Sequence, residues 1–447
     1  MRKALRVPVV LAVLLLPVLC PAGQADAVTP APLPFSFENY RLGNGLRVLL
    51  VEDDRLPLVT VAVGYSAGTL REMPGQEGLA YLLENLMFQG SENVLPLQHV
   101  AYVQKVGGTL NATTTADKAL FYETLPSNQL ALALWLESDR MKSLAITPAA
   151  IRLTRQELID EHKNRLASDP YLGTFAQFDA LLFPDGLYGH PLIGDGQAMS
   201  ELTESAIVDF YRTYYVPNNA VLCIAGNIDS ARTRELVARY FDSIPPGLDI
   251  PTPRRPEFRR ENDAVVRFAP IRAGSAGFHM GFRFFPLQKG EAYCLPILEY
   301  ILFEGETSQI RSRLLKHDLS ARYLTGTLDE RLSVAALKIF CLATNAVMIA
   351  RSQRGILAEI DRLKTNPVSA EAIGRAQRRF KRDYMDRVST NLGKARYLVD
   401  AWAAGKDLDT LDDELSSILR VTPQALAAFA SRYFTPQNRV VLEFAPQ

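Results

Sequence analysis

The residues with the clearest chemical meaning lie in the segment 78–90, where Tyr81, Glu84 and Asn85 follow one another at helical spacing. With histidine in place of Tyr81 and Asn85, the segment would read H-x-x-E-H, an inverted zinc-binding helix motif. Residues four apart share one helical face, where two imidazoles can chelate zinc while the glutamate polarises a metal-bound water. This chain keeps the glutamate and lacks both imidazoles. We therefore interpret Glu84 as the inactive remnant of a general base.

The elements that must position these side chains follow from hydrophobic periodicity. In the first half of the chain, strands are predicted over 45–51, over 58–63 and within 109–125. In the second half they are predicted near 264–285 and 333–343. Helices are predicted over 78–88, 96–106, 128–143, 148–166, 204–213, 288–303, 346–364 and 369–388. Strands that cluster early in each half, with helices around them, predict an α+β fold.

The chain is organised as two similar halves. A proline-rich stretch near its midpoint cannot form a helix interior or a central strand, so residues 246–262 are predicted to be a linker. Each half also contains a Tyr-x-x-Pro segment, ending at Pro217 and at Pro436, that joins a helix to a β-rich run. We therefore predict two homologous α/β-sandwich domains, over 28–245 and 263–447, that arose by duplication.

The length, the net charge and the N-terminal segment indicate how many domains the chain has, which partners it lacks and where it is located. The 447 residues suggest two domains, and 49 basic against 49 acidic residues give no basic excess for nucleic-acid binding. Residues 1–27 have the basic start, short apolar run and small-residue cleavage site of a signal peptide. The sequence thus predicts an exported protein, periplasmic in a Gram-negative bacterium, with no membrane span in the mature chain. Cys20 leaves lipoprotein maturation open.

Three cysteines follow the signal peptide, and all of them have apolar neighbours. Cys223, Cys294 and Cys341 are predicted to be buried thiols that pack as small hydrophobic side chains. One disulfide with a leftover thiol is the alternative in an exported protein.

Several short motifs extend the pattern beyond the segment 78–90. They are Asn44-Gly45, Gly68-Thr69 with Arg71-Glu72, Gly107-Gly108 with Asn111-Ala112, and Tyr188-Gly189-His190-Pro191. On these residues the chain resembles the pitrilysin/insulinase-type zinc metallopeptidases, the inverzincins, in their half-length bacterial and mitochondrial-processing-peptidase-like branch. The resemblance covers nearly all of the chain after residue 27.

The resemblance implies where a third zinc ligand would stand. In the family it is a glutamate on a later helix, and the spacing from Asn85 places it at Glu161. The degenerate ligand positions are then Tyr81, Asn85 and Glu161, which together with Glu84 offer two carboxylates and no imidazole. Tyr and Asn are poor zinc ligands, so no cofactor is expected in this chain. Loose binding of a hard cation by the two carboxylates remains open.

The resemblance also implies a substrate-binding surface. In the family an Arg/Tyr pair from the second domain binds substrate and stabilises the tetrahedral intermediate, and the matching positions here are Lys316 and Tyr323. Lysine keeps the charge of arginine but loses its bidentate fork, so a role for the pair in catalysis stays open. Asn111 and Ala112 align with an edge strand that binds extended peptide by strand addition.

These features lead to three functional hypotheses. The first is a non-catalytic subunit of an exported heterodimeric zinc metallopeptidase, which encloses and binds peptides while a homologous partner supplies zinc. The second is a stand-alone peptide-binding or scaffold protein without hydrolytic activity. The third is a metallopeptidase with an unorthodox metal site. The sequence does not specify the partner or the peptide preference.

Overall fold

A computed structural model of the chain describes residues 33–446, apart from 185–187, 195, 253–263, 268–273, 306–307 and 333. The predicted signal peptide, 1–27, and most of the predicted linker, 246–262, therefore lie outside the described residues. None of the helices in the described part of the chain combines the length and the hydropathy of a bilayer-spanning segment.

The first half of the chain builds a six-stranded mixed sheet. Its strands are β1 (Glu38–Arg41), β2 (Arg47–Glu52), β3 (Leu58–Tyr65), β4 (Thr109–Thr114), β5 (Ala119–Pro126) and β6 (Ala220–Gly226). Their order is β1-β2-β6-β3-β5-β4, with β2 and β6 parallel and the other neighbours antiparallel. Central strands such as β6 are apolar along their whole length because both faces of the sheet are covered. β4 is an edge strand.

The second half repeats this sheet, with five strands in the described part of the chain. Its strands are β7 (Ala264–Arg267), β8 (Gly277–Phe284), β9 (Ala321–Glu330), β10 (Ala335–Ala343) and β11 (Arg439–Phe444). Their order is β7-β11-β8-β10-β9, and only β7 and β11 run parallel. β7, β11, β8, β10 and β9 thus take the places of β2, β6, β3, β5 and β4. β9 is an edge strand, as β4 is in the first sheet.

Helices surround both sheets. In the first half they are α1 (Leu79–Leu86), α2 (Gln98–Lys105), α3 (Leu130–Lys142), α4 (Pro148–Ser168), α5 (Leu172–Leu182), α6 (Gly196–Glu201), α7 (Glu204–Tyr214) and α8 (Ser230–Phe241). In the second half they are α9 (Lys289–Ala292), α10 (Cys294–Leu302), α11 (Gln309–Arg311), α12 (Met348–Thr365), α13 (Ala370–Arg387), α14 (Asn391–Ala403), α15 (Leu411–Leu419) and α16 (Pro423–Tyr433). A π-helical turn, Ser312–His317, follows α11. α7 and α16 begin in the same way, because the hydroxyls of Thr203 and Thr422 accept a backbone N–H of the first turn.

Both halves also end on the same local structure. A 3₁₀ turn follows α7 at Pro217–Asn219 and α16 at Pro436–Asn438, and leads into β6 and β11. The side chain of Asn219 donates a hydrogen bond to the carbonyl of Tyr214 at 2.7 Å, and Asn438 makes the equivalent bond at 2.9 Å. The predicted duplication is therefore confirmed in strand order, helix caps and side-chain contacts.

Each sheet has one face covered by a helix from the other half. α14 packs on the first sheet, where Leu398 and Val399 join an apolar cluster with residues of β2, β3 and β6. α5 packs on the second sheet, where Phe178 and Leu182 join a cluster with residues of β10 and β11. The two halves are thus held together by the reciprocal exchange of one helix.

A glycine lies beneath each exchanged helix. A Cβ on Gly64 of β3 would come within 2.4 Å of Val399, and a Cβ on Gly281 of β8 within 2.7 Å of Phe178. β3 and β8 hold equivalent places in the two sheets. The absence of a side chain at these positions therefore lets α14 and α5 approach the sheets closely.

The predicted α+β class is confirmed, with one sheet in each half. The predicted helix 288–303 is instead two helices, α9 and α10, which meet at Tyr293. Pro296 lies in the first turn of α10, where its missing N–H is tolerated. β9 was not among the predicted strands. The cysteine prediction is confirmed, because Cys223, Cys294 and Cys341 are free and buried.

Candidate functional site

A buried carboxylate holds the N-terminus of α1, the helix that carries Glu84. Glu72 is 5 % exposed and accepts hydrogen bonds from the backbone N–H groups of Gly78, at 3.1 Å, and Ala80, at 2.8 Å. Burial raises the pKa of Glu72 to about 8, although these two bonds act in the opposite direction. Its carboxylate lies 3.7 Å from Nδ1 of His190. Two motifs that are distant in sequence therefore meet at the start of α1.

The two altered ligand positions of α1 are occupied by neutral side chains. The Asn85 side-chain amide donates a hydrogen bond to the Tyr81 carbonyl, one helical turn earlier, at 2.9 Å. Tyr81 is partly buried against the core of the first half. Burial raises the pKa of its hydroxyl, and the nearby carboxylates of Glu161 and Glu84 raise it further. Neither position offers an anionic ligand at neutral pH.

Glu84 is a partly buried carboxyl beside the end of β4. Burial raises its pKa, while the hydroxyl and the backbone of Thr114 lower it. Even so, Glu84 Oε2 and Thr114 Oγ1 are both buried and lack a partner with hydrogen-bond geometry within the described residues. Because an unpaired buried carboxylate is unfavourable, this environment favours the protonated form of Glu84.

Glu161 is exposed on α4, which packs against α1. Its carboxylate forms an ion pair with Arg165, one turn later, at 3.5 Å. It is also close enough to Tyr81 to raise the pKa of the tyrosine. The structure thus brings Tyr81, Glu84, Asn85 and Glu161 to one site between α1 and α4.

This set of residues does not fit a catalytic zinc ion. Such a centre uses three protein ligands, most often imidazoles, and leaves a fourth position for water. Here the donors are a phenol, an amide bonded to its own helix and two carboxyls, one of which already pairs with Arg165. We therefore assign no metal-dependent step to this chain.

The edge strand predicted around Asn111 and Ala112 is confirmed as β4. Among the described residues it pairs only with β5, which leaves its other side open to a further strand. Asn111 is exposed, and its side-chain oxygen accepts the N–H of Ala112 at 2.8 Å.

Lys316 and Tyr323 belong to the second sheet and its neighbouring helices. Lys316 is exposed in the π-helical turn, and Tyr323 is the third residue of the edge strand β9. Tyr323 is 50 % exposed, with its ring packed edge-on against Phe340 at 6.0 Å. Lys316 and Tyr323 therefore lie in the second half of the chain, whereas α1 and β4 lie in the first.

The sequence reasoning missed a fully buried polar network behind α1. His99, Glu123 and Glu137 are the one group of potential metal ligands that come within mutual reach in the described part of the chain. Both carboxylate oxygens of Glu137 bind the guanidinium of Arg140, however, so this is an ion-pair network. Burial lowers the pKa of His99 to about 3 and raises that of Glu123 to about 8. The available signal was Glu123, a charged residue within the apolar strand β5.

Comparison with known proteins shows the family. Residues 47–174 match the family model described as Insulinase (Peptidase family M16), and residues 201–380 match the one described as Peptidase M16 inactive domain. The chain belongs to the insulinase family of peptidases. The inactive-domain match begins well after α1, so its name does not describe the segment 78–90.

The relatives that are similar over most of this chain include proteins that are named proteases. Zinc protease PqqE of Helicobacter pylori is 24% identical over 420 residues, which cover 92% of this chain and 93% of that protein. The crystal structure of a protease from Helicobacter pylori superposes with a TM-score of 0.86 at 22% identity, covering 92% of this chain and 100% of that chain. The periplasmic protease PqqL from Escherichia coli superposes with a TM-score of 0.75 at 16% identity. That match covers 93% of this chain but only 48% of PqqL.

Proposed function

We propose that this protein is a non-catalytic subunit of an exported heterodimeric zinc metallopeptidase. It binds and helps to enclose peptide substrates, while a homologous partner with an intact H-x-x-E-H motif supplies the zinc. The observation that carries the proposal is the state of α1. The helix keeps its place, its Glu72 cap and Glu84, yet neutral side chains occupy both imidazole positions.

Two further observations support a partner. PqqL is about twice as long as the part that this chain matches, so that relative has room for a second unit of similar size in the same polypeptide. The second observation concerns the residues that we propose to bind peptide. The open edge of β4 and the exposed side chains of Lys316 and Tyr323 can contact a substrate without any metal in this chain.

The test is reconstitution with an intact-motif homologue from the same genome. The two chains are purified separately and together, and hydrolysis of a fluorogenic peptide library is measured with zinc present. We expect a stable complex whose kcat/KM exceeds the sum of the separate chains. A partner that is fully active alone and ignores this chain would overturn the proposal, and peptide binding without turnover would favour a stand-alone binding protein.

Variants of this chain within the complex assign its contribution. Lys316→Ala and Tyr323→Phe should each lower kcat by roughly 10- to 100-fold, because a donor to the developing oxyanion is lost. Arg322→Ala removes a neighbouring exposed charge from the same strand and serves as the matched control. Turnover that depends on Glu84, tested as Glu84→Gln, would instead place catalysis on this chain.

A further inference from the structure

A cavity of about 710 Å³ lies where the two halves meet. The turn between β4 and β5 forms one wall and the turn between β9 and β10 another, while α14 and the end of α13 close the remaining sides. Because α14 and α1 pack on opposite faces of the first sheet, the cavity is separate from the site around Glu84. Its volume is within the range of small-molecule sites, about 300–1,000 Å³.

Most of the charged groups in the cavity wall are paired with one another. Lys118 forms an ion pair with Asp400 at 2.7 Å, which links the first half to α14. Asp117 accepts the backbone N–H of Leu332 at 2.9 Å, so the two turns are joined directly. Lys406 at the rim pairs with Glu414 at 2.5 Å. These bonds build the walls and leave the paired groups with little capacity for a ligand.

Two wall residues of opposite charge remain without such a bond. Glu330 and Arg387 line the cavity, and neither side chain forms a hydrogen bond or an ion pair with any of the described residues. Although Glu330 as a whole is exposed, the protein around its carboxylate raises its pKa by desolvation, and the charges of Lys406 and Arg387 oppose this effect. Glu330 and Arg387 therefore line the same cavity without contacting each other.

The rest of the lining is mainly short and apolar. It includes Leu287, Ala292, Val334, Ala335, Ala401 and Ala404. A ligand that suits this lining carries a positive group at one point, a negative group at another, and small apolar substituents between them. A guanidinium binds a carboxylate through a two-pronged hydrogen bond, and a carboxylate binds an ammonium group in the same charge-assisted way.

We propose that this cavity is a binding site for a short peptide, about two to four residues long, with small apolar side chains and two free ends. Glu330 binds the α-ammonium group of the peptide, and Arg387 binds its α-carboxylate. The peptide is held in one piece, and no bond is formed or broken. The site does not depend on α1 or on a catalytic partner, so the inference is independent of the proposed function.

Isothermal titration calorimetry of the full chain tests the proposal. The probes are trialanine, its N-acetyl derivative and its C-terminal amide. We expect trialanine to bind and each blocked form to bind at least tenfold more weakly. Glu330→Gln should weaken trialanine about tenfold and abolish the difference between the free and acetylated amine. Arg387→Gln should weaken trialanine binding about tenfold as well, and should abolish the difference between trialanine and its C-terminal amide.

Two exposed charges of α8 provide matched controls. Glu235→Gln and Arg239→Gln change the same residue types outside the cavity and should leave trialanine affinity unchanged. Far-ultraviolet circular dichroism checks that every variant is folded. The proposal is overturned if trialanine does not bind, if blocked and free peptides bind equally, or if Glu330→Gln and Arg387→Gln behave like the controls.

Discussion

The two exchanged helices, α14 and α5, cover equivalent sheet faces with different chemistry. The fully buried part of the α14 contact is aliphatic, and the contact ends in a buried ion pair between Lys394 and Asp53, whose side chains are each 6 % exposed. The α5 contact is aromatic, because Phe178 stacks on His279 with ring centroids 4.9 Å apart. The His279 ring also shares a hydrogen bond with the hydroxyl of Thr174 at 2.7 Å. One contact thus relies on a charged pair and the other on a neutral imidazole.

Because one contact contains a charged pair and the other a neutral imidazole, acid should destabilise them unequally. Hydrogen bonds from Arg55, together with the Lys394 ammonium, hold the pKa of Asp53 far below its ordinary value. Burial lowers the pKa of His279 to about 3, with a smaller effect from Lys338. In the unfolded chain, histidine gains a proton below about pH 6.5. The stability that depends on neutral His279 is therefore present above pH 6.5 and lost as the pH falls towards 3.

Removing the buried side chain of either helix should have the largest effect. Phe178→Ala is expected to lower the free energy of unfolding by about 3–5 kcal/mol, and Leu398→Ala by about 2–5 kcal/mol, since each leaves a cavity at a sheet face. Urea unfolding at pH 7 measures both. Leu248→Ala removes a side chain that is 91 % exposed and should change little. A loss below 1 kcal/mol for Phe178→Ala would show that α5 contributes little to the second half.

The acid response separates the two contacts. Between pH 7 and pH 4, the wild-type chain should lose about 3 kcal/mol more unfolding free energy than His279→Phe, which keeps the stacking but cannot be protonated. Urea unfolding across this pH range gives the difference. Hydrogen exchange at pH 4 should become faster in α5 before it does in α14. If both pH curves have the same slope, His279 is not protonated on unfolding.

Removal of Lys394 tests the ion pair of the α14 contact. Lys394→Met should lower the free energy of unfolding by about 2–3 kcal/mol, below the usual loss for a broken buried pair, because Arg55 still binds Asp53. Arg55→Met, which removes a side chain that is 63 % exposed, should lower the free energy of unfolding by less than Lys394→Met does. Thermal and urea unfolding measure both variants. If both variants lose the same free energy of unfolding, burial does not determine how much Lys394 and Arg55 each contribute.

The smallest effects are expected at the glycines beneath the helices. Gly64→Ala and Gly281→Ala should each lower the free energy of unfolding by about 1–2 kcal/mol, because the added methyl overlaps the helix above it. Gly64→Ala should be the worse of the two, since the branched side chain of Val399 has few alternative rotamers. Adding Val399→Ala should restore part of the loss in Gly64→Ala. If Val399→Ala restores none of the lost stability, the strain does not arise at the contact between positions 64 and 399.

The sequence predicted the separate elements of the fold better than their assembly. The matched Tyr-x-x-Pro endings and the polar strand around Asn111 indicated a duplication and an edge strand, and both were confirmed. The helix exchange was not predicted, and neither α5 nor α14 was among the predicted helices. An apolar face on α5 or α14 shows that the helix is covered, but gives no sign of which sheet covers it. The apolar sequence of β6 is enough to show that both faces of this strand are buried. The sheet on which a helix packs, in contrast, depends on residues that are distant in the sequence.

At the candidate site, the sequence predicted the residues that share a helix or a neighbouring one. Tyr81, Glu84 and Asn85 were placed by spacing, and Glu161 by the resemblance to the family. The Glu72 cap and the contact of Glu84 with Thr114 were not predicted, because they join segments that only the tertiary fold brings together. The roles of Lys316 and Tyr323 remain predictions.

The reciprocal helices have a consequence for any cut in the backbone between Phe241 and Ala264. Each fragment would retain a helix that belongs on the other fragment's sheet, so neither would be a self-sufficient module. The two pieces would instead behave as a split protein that reassembles by complementation. In architecture, the chain is an intertwined dimer of two related units encoded as one polypeptide.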